Sequence, residues 1–169
     1  MQQLRLRTNP ALETLMTPDS RLAPYGALLL RISLGVMYLA HSVVLKLMTF
    51  GLSGTASYFV SIGLPAWLAY LTFAGEAVGG LLLIAGIRTR WVAVALLPTL
   101  FGAIIWVHGA FGWVFSASGG GWEYPAFLIA ASFVQVLLGD GACALAPLSA
   151  LIPRGVALRN QRDHILLKR

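Results

Sequence analysis

Charge is scarce in this chain. Asp, Glu, Lys and Arg make up 11% of its 169 residues and apolar residues 58%, whereas a soluble domain carries roughly 25% and 45–50%. A water-soluble core of this length could not hide so much apolar side chain, so lipid is the natural solvent. Cysteine is nearly absent too. Cys143 stands alone, which excludes an intrachain disulfide, a CxxC redox pair and an iron–sulfur cluster. Near a helix end it reads as a small apolar filler. No GxGxxG follows a strand, and there is no P-loop and no HExxH, so no metal site is expected. A secretory signal peptide is not expected either. The first apolar run starts only near Gly26, is too long, and lacks a small-x-small cleavage site.

Two loops lack Lys and Arg altogether, and this absence orients the chain. The formal net charge is +6, yet ten of the twelve basic residues lie in the tails or in one short loop. No basic stripe is interleaved with aromatics, so nucleic acid is not an expected partner. Four apolar segments stand out, at 26–48, 66–87, 91–111 and 122–139. The second and third have about 21 residues each, roughly 30 Å as helix, which matches the hydrocarbon core. The fourth is shorter, around 27 Å. Arg5, Arg7 and Arg21 precede the first, Arg88 and Arg90 join the second to the third, and Arg154, Arg159, Arg162, Lys168 and Arg169 follow the fourth. Stretches 49–65 and 112–121 hold no basic residue. With four crossings every basic segment falls on one side, which the positive-inside rule makes cytoplasmic.

The expected fold is therefore all-α: an integral membrane four-helix up-down bundle, with both termini cytoplasmic. Residues 1–25 form a cytoplasmic N-terminal segment, 26–145 the transmembrane domain and 146–169 a basic cytoplasmic tail. Segment Gly51–Gly63 is too short to span, and its Tyr58, Phe59 and Ile62 suggest a short interfacial or re-entrant helix on the outer face. Beyond Pro153 the basic tail either lies on the anionic inner leaflet or frays. Gly139-Asp140-Gly141 marks a helix stop.

The ionisable residues inside the apolar runs are the informative ones, because each needs an interior partner or a neutral state. From the rise per residue, Glu76 lies about 15 Å below the outer boundary, His41 about 10 Å, His108 about 5 Å and Lys46 about 3 Å. Glu123 sits at the outer mouth of the fourth segment. All fall in the outer half or near the midplane, which suggests a polar pocket between helices that opens outward. Glu76 is expected to be protonated unless His41 or a base from another helix pairs with it. Lys46 and Arg31 lie near the ends of the first segment, where long side chains snorkel to headgroups. Glu123 can pair with Lys46 across the mouth. Trp122 and Tyr124 fit an interfacial aromatic belt, and Pro125 suits a helix's first turn. His41 and His108 can anchor a ligand, relay protons or hydrogen-bond within the bundle. A b-type haem between them would need matched depths, and about 5 Å of mismatch argues against it.

In these residues the chain resembles the DoxX family of small bacterial membrane proteins. The matching series runs Arg31-Ile32-Ser33-Leu34-Gly35 through His41 and Lys46, then Gly63-Leu64-Pro65, Glu76 followed by Gly79-Gly80, Gly86-Ile87-Arg88-Thr89-Arg90, His108, and Gly121-Trp122-Glu123-Tyr124-Pro125. It covers about Leu29 to Leu145. The resemblance implies a four-helix bundle in a bacterial cytoplasmic membrane. It also implies a link to quinone-coupled oxidation of sulfur compounds, as in the small subunit of thiosulfate:quinone oxidoreductase. The leading expectation is a membrane subunit of a quinone-linked oxidoreductase system. Glu76 and His41 would hydrogen-bond or protonate the quinone, and His108, Lys46, Glu123, Trp122 and Tyr124 would line its entrance. A redox partner subunit would supply electrons. The alternatives are a small-molecule carrier or efflux component, which needs a homo-oligomer, and a non-catalytic membrane anchor for a redox partner.

Overall fold

Proline stands at the start of three helices of this chain, and glycine stops two of them. The computed structural model describes residues 21–146. Arg5, Arg7, the N-terminal segment up to residue 20 and the tail from 147 onward lie outside the described residues. Helix α1 runs Ala23–Thr49, with Pro24 in its first turn, where a missing N–H costs nothing. Its last part, Ala40–Thr49, is wound as a π-helix. Helix α2, Leu52–Ser61, is the short helix expected between the first two apolar segments. Helix α3, Ala66–Ala85, follows Pro65 and stops at Gly86, which takes the left-handed conformation. Helix α4 runs Thr89–Phe111, turns π over Ala103–His108 and ends in one 3₁₀ turn. Helix α5, Glu123–Leu138, ends at Gly139, whose φ is 84°.

The described residues contain no strand, only an isolated bridge between Ile87 and Ala146. Three helices, α1, α3 and α4, are long and apolar enough to cross a membrane. At 16 residues α5 is shorter, about 24 Å. The molecule is an all-helical membrane bundle.

The four longer helices form a ring in which α1 and α4 each lie against both α3 and α5, while α2 leans on α3 and on the π-helical part of α1. Leu34 and Tyr38 of α1, Leu83 of α3, Ala93, Leu96 and Leu100 of α4 and Leu128 of α5 make the core. Close approach of α1 to α3 depends on Gly35 and Gly80. A methyl group on Gly35 would lie 2.7 Å from the Gly80 carbonyl oxygen. Small residues let backbones approach in lipid, where packing rather than the hydrophobic effect joins helices.

Both ends of the described chain meet at the end of the bundle that carries Arg88 and Arg90, here called the basic end. The Ala142 N–H donates to the Pro24 carbonyl (2.9 Å) and the Arg88 N–H to the Ala146 carbonyl (3.2 Å). Asp140 Oδ1 accepts from the Thr89 N–H at 3.0 Å, satisfying one of the donors left open at the start of α4. Arg31 corrects an expectation here. It does not snorkel. It is 1% exposed, and its Nη2 donates to the carbonyls of Ala142 (2.9 Å) and Cys143 (3.0 Å). Segment 139–146 folds back beneath the helices, so these carbonyls are nearer than any headgroup. The opposite end, whose two loops have no Lys or Arg, is called the neutral end.

Candidate functional site

The π-helical stretch of α1 brings two of the site residues onto one face. In an ordinary α-helix, side chains five apart differ by about 140° around the axis. Here the hydrogen bonds run five residues back, as from the Phe50 N–H to the Leu45 carbonyl at 2.9 Å. Thr49 Oγ1 reaches the Val44 carbonyl at 2.8 Å in the same pattern. His41 and Lys46 thereby point into one cavity. Helix α4 repeats the device, since Ala103 and His108 lie five apart at the two ends of its π-helical stretch and both line that cavity. Such local widening of a helix is frequent where side chains must be re-aimed.

The cavity has a volume of about 1020 Å³ and lies between α1, α2, α3 and α4, with Tyr124, Pro125 and Leu128 of α5 closing one side. Its polar centre is an ion pair in which Lys46 Nζ donates to Glu76 Oε2 at 2.6 Å. The partner anticipated for Glu76 was His41 or a base from another helix, and it is Lys46 of α1. Glu76 is buried, and the Lys46 side chain is 17% exposed. Lys46 therefore turns inward toward the acid rather than outward to headgroups. Thr55 of α2 holds the backbone at this point, its Oγ1 donating to the Lys46 carbonyl at 3.1 Å.

His41 lines the same cavity as this pair. Its Nδ1 bonds the Met37 carbonyl at 2.9 Å, which leaves Nε2 as the free ring nitrogen. Its ring stacks on Tyr124 with centroids 6.2 Å apart and planes inclined by 22°. Tyr124 in turn donates to Met37 Sδ at 3.1 Å. His41, Tyr124 and Met37 thus lock α1 to α5. His108 lines the cavity at the neutral end, where its Nδ1 bonds the Gly120 carbonyl at 2.8 Å.

Two expected entrance residues stand elsewhere. Glu123 does not pair with Lys46. Its Oε1 accepts from the Phe115 N–H at 2.8 Å, because the 112–121 loop folds back over the start of α5 and offers a donor close at hand. Trp122 packs edge-on against Trp113, with centroids 4.5 Å apart. Neither residue lines the main cavity. Glu123 instead borders a shallow depression with Trp113 and Phe115, which Tyr124 also touches from its place between the depression and the main cavity.

The remaining lining is largely apolar, so the expected polar pocket is an apolar chamber with one charged wall. Sequence reasoning missed several of its residues. Tyr38 lines it, with its hydroxyl buried beside Ser132 and Thr99. Thr99, beside Pro98, and the α2 face of Thr55, Tyr58 and Phe59 also contribute. A polar residue inside an apolar run was the available signal for Tyr38 and Thr99. No signal marked α2 as part of the chamber. Among the described residues, no group of three or more His, Cys, Asp or Glu side chains is placed to hold a metal ion.

Comparison with known proteins bears on this arrangement. The family model described as DoxX matches residues 26–109, which include His41, Lys46, Glu76 and His108. The chain is also 37% identical over 122 residues to the protein named "Putative oxidoreductase CatD" of Bacillus subtilis (strain 168), covering 72% of this chain and 85% of that one. The chain belongs to the DoxX family. The three residues at the charged wall and His108 thus all fall inside the DoxX match, whereas Trp122, Glu123 and Tyr124 lie beyond it. No solved structure matches the chain.

Proposed function

We propose that this DoxX protein is the membrane subunit of a quinone-linked oxidoreductase system, and that its apolar chamber receives the quinone ring. The observation that carries this reading is the Lys46–Glu76 ion pair on the wall of a cavity lined mostly by apolar side chains. A quinone ring needs an apolar slot and a hydrogen-bond donor for its carbonyl oxygen, and small-molecule sites commonly combine a mostly apolar lining with a few convergent polar groups. Reduction to the quinol takes two electrons and two protons. The electrons come from a redox partner subunit, since the sequence carries no binding motif for a nucleotide or iron–sulfur cofactor. The chain's own residues bind and handle protons. Lys46 donates to a carbonyl oxygen, Glu76 keeps that ammonium in place and exchanges a proton with it, and His41 offers Nε2 as a second proton-transfer group. Tyr124 holds the His41 ring in position.

In this reading α5 also crosses the bilayer, making four crossings, and the basic end faces the cytoplasm of a bacterial cell. The kinship to an oxidoreductase-named protein over most of both chains supports the redox assignment.

The test is direct. The full chain is purified in mild detergent and its bound lipids are extracted for mass spectrometry. Quinone should co-purify with the native protein and be lost from Glu76→Gln and Lys46→Met. A native protein free of quinone that also fails to bind added quinone would overturn the reading.

A further inference from the structure

Three of the four seams between neighbouring helices are closed at the level of the ion pair or on either side of it. Gly35 and Gly80 bring α1 against α3. The His41–Tyr124 stack and the Tyr124–Met37 hydrogen bond close α1 on α5. Helices α4 and α5 lie against each other, with Leu100 and Leu128 in the shared core. The fourth seam, between α3 and α4, differs along its length. Toward the basic end it is tight, since a Cβ on Gly79 would lie 2.8 Å from the Leu96 side chain. One helical turn further toward the neutral end, where Glu76 stands, the two helices are parted by the chamber. Leu68, Leu71, Thr72 and Gly75 line it from α3, and Thr99, Gly102, Ala103 and Trp106 line it from α4.

Residues on these facing walls also keep large exposed areas. Leu71 is 58% exposed and Trp106 48% exposed, and both sit in helices long and apolar enough to cross the membrane. Walls that are both exposed and set in helices of bilayer-crossing length give the chamber a sideways route toward lipid. Toward the neutral end it is bounded by α2, through Thr55, Tyr58 and Phe59, and by His108.

From this geometry we infer that the chamber takes a lipid-dissolved ligand with a long apolar tail, which enters between α3 and α4 and leaves its tail lying in that seam. The inference rests on the quinone reading of the same site and narrows it to a tailed quinone rather than a small water-borne ring. Burial favours the tail, because each methylene placed against Leu71, Ala103 and Trp106 is in apolar surroundings. The polar head is drawn inward, because the nearest charged groups lie about 7 Å deeper, five residues along α3 from Leu71 to Glu76.

Glycine supplies the means to test this. A Cβ at Gly75 meets nothing within 4 Å, and one at Gly102 meets only the Trp106 ring at 3.9 Å, so a side chain can start from either position without clashing with the packed core. The full chain is reconstituted in nanodiscs. Binding is measured for two benzoquinones with the same ring, one bearing a ten-carbon alkyl tail and one without a tail, and each affinity is corrected for partition into protein-free discs. The native protein should favour the tailed form by about tenfold or more. Gly75→Phe and Gly102→Phe, with melting temperatures close to native, should each lower that ratio at least about fivefold. A tail-end photoreactive group should label the α3–α4 seam. Equal binding of both quinones, an unchanged ratio in both variants, or labelling confined to α5 would overturn the lateral entry while leaving the quinone site standing. Failure of the native protein to bind either quinone would overturn both.

Discussion

The two ends of the bundle bury positive charge in opposite ways. At the basic end Arg31 is enclosed, with no carboxylate among the contacts described for it, and main-chain carbonyls of Ala142 and Cys143 receive its hydrogen bonds. At the neutral end Lys46 meets a carboxylate on the wall of a chamber. Carbonyl dipoles neither titrate nor leave, so the first arrangement can only hold structure. An ammonium–carboxylate pair beside open space can exchange protons and trade one partner for a ligand. The bundle separates a fixed anchor from a working pair along one axis, and α1 carries both.

This contrast can be broken or sharpened by substitution. The largest effect is expected at the anchor. Arg31→Ala removes two charge-assisted hydrogen bonds and leaves two carbonyls unsatisfied, and should cost about 3 kcal/mol or more. Thermal melting of the detergent-solubilised protein reads the loss, and a melting temperature within a degree of native would show that the basic end is no anchor. Next comes the working pair. Glu76→Leu strands the Lys46 ammonium and should cost about 2 kcal/mol, whereas the double variant Lys46→Met/Glu76→Leu should recover most of that stability, since an apolar pair often replaces a buried ion pair without loss. Quinone retention should stay abolished in the double variant. Recovery of both stability and quinone together would make the pair merely structural.

Smaller effects separate the supporting contacts. Asp140→Ala removes the side-chain acceptor for the Thr89 N–H and should cost about 1 kcal/mol, as lost helix caps do, with quinone binding intact. Thr55→Val, which deletes the bond from α2 to the Lys46 carbonyl, should cost about 0.5–1 kcal/mol in melting. Its larger consequence should be a changed quinone affinity, measured by titration. An affinity identical to native would remove α2 from the site.

Sequence periodicity and charge made the bundle itself legible. Apolar runs of bilayer length, the glycine stop at Gly139 and Pro125 at a helix start are local signals, and local signals survive folding. The presence of Glu76, His41, Lys46 and His108 around one chamber was also readable, because an ionisable group in lipid must face inward. Pairing was not. Lys46 and Glu123 could be matched by depth, but depth ignores the reach of a lysine stem and the loop donor that Phe115 offers to Glu123. Arg31 was misread for a related reason. Its partners are main-chain carbonyls more than a hundred residues away, and no side-chain pattern announces a carbonyl. The apolar character of the chamber was hidden because Leu, Trp and Phe in a membrane helix face lipid as readily as a cavity.

The π-helical stretch of α1 works as a swivel within a single rod. Everything before Ala40 keeps the register that seats Arg31, Leu34 and Tyr38, while everything after it answers to α2 and Glu76. A chain shortened by one residue between Ala40 and Thr49 would fall back into ordinary winding. The anchored half would stay put, and Lys46 would swing by about 100° about the axis, away from its acid, so one residue's worth of slack is what lets the rigid part and the reactive part of the helix be adjusted separately.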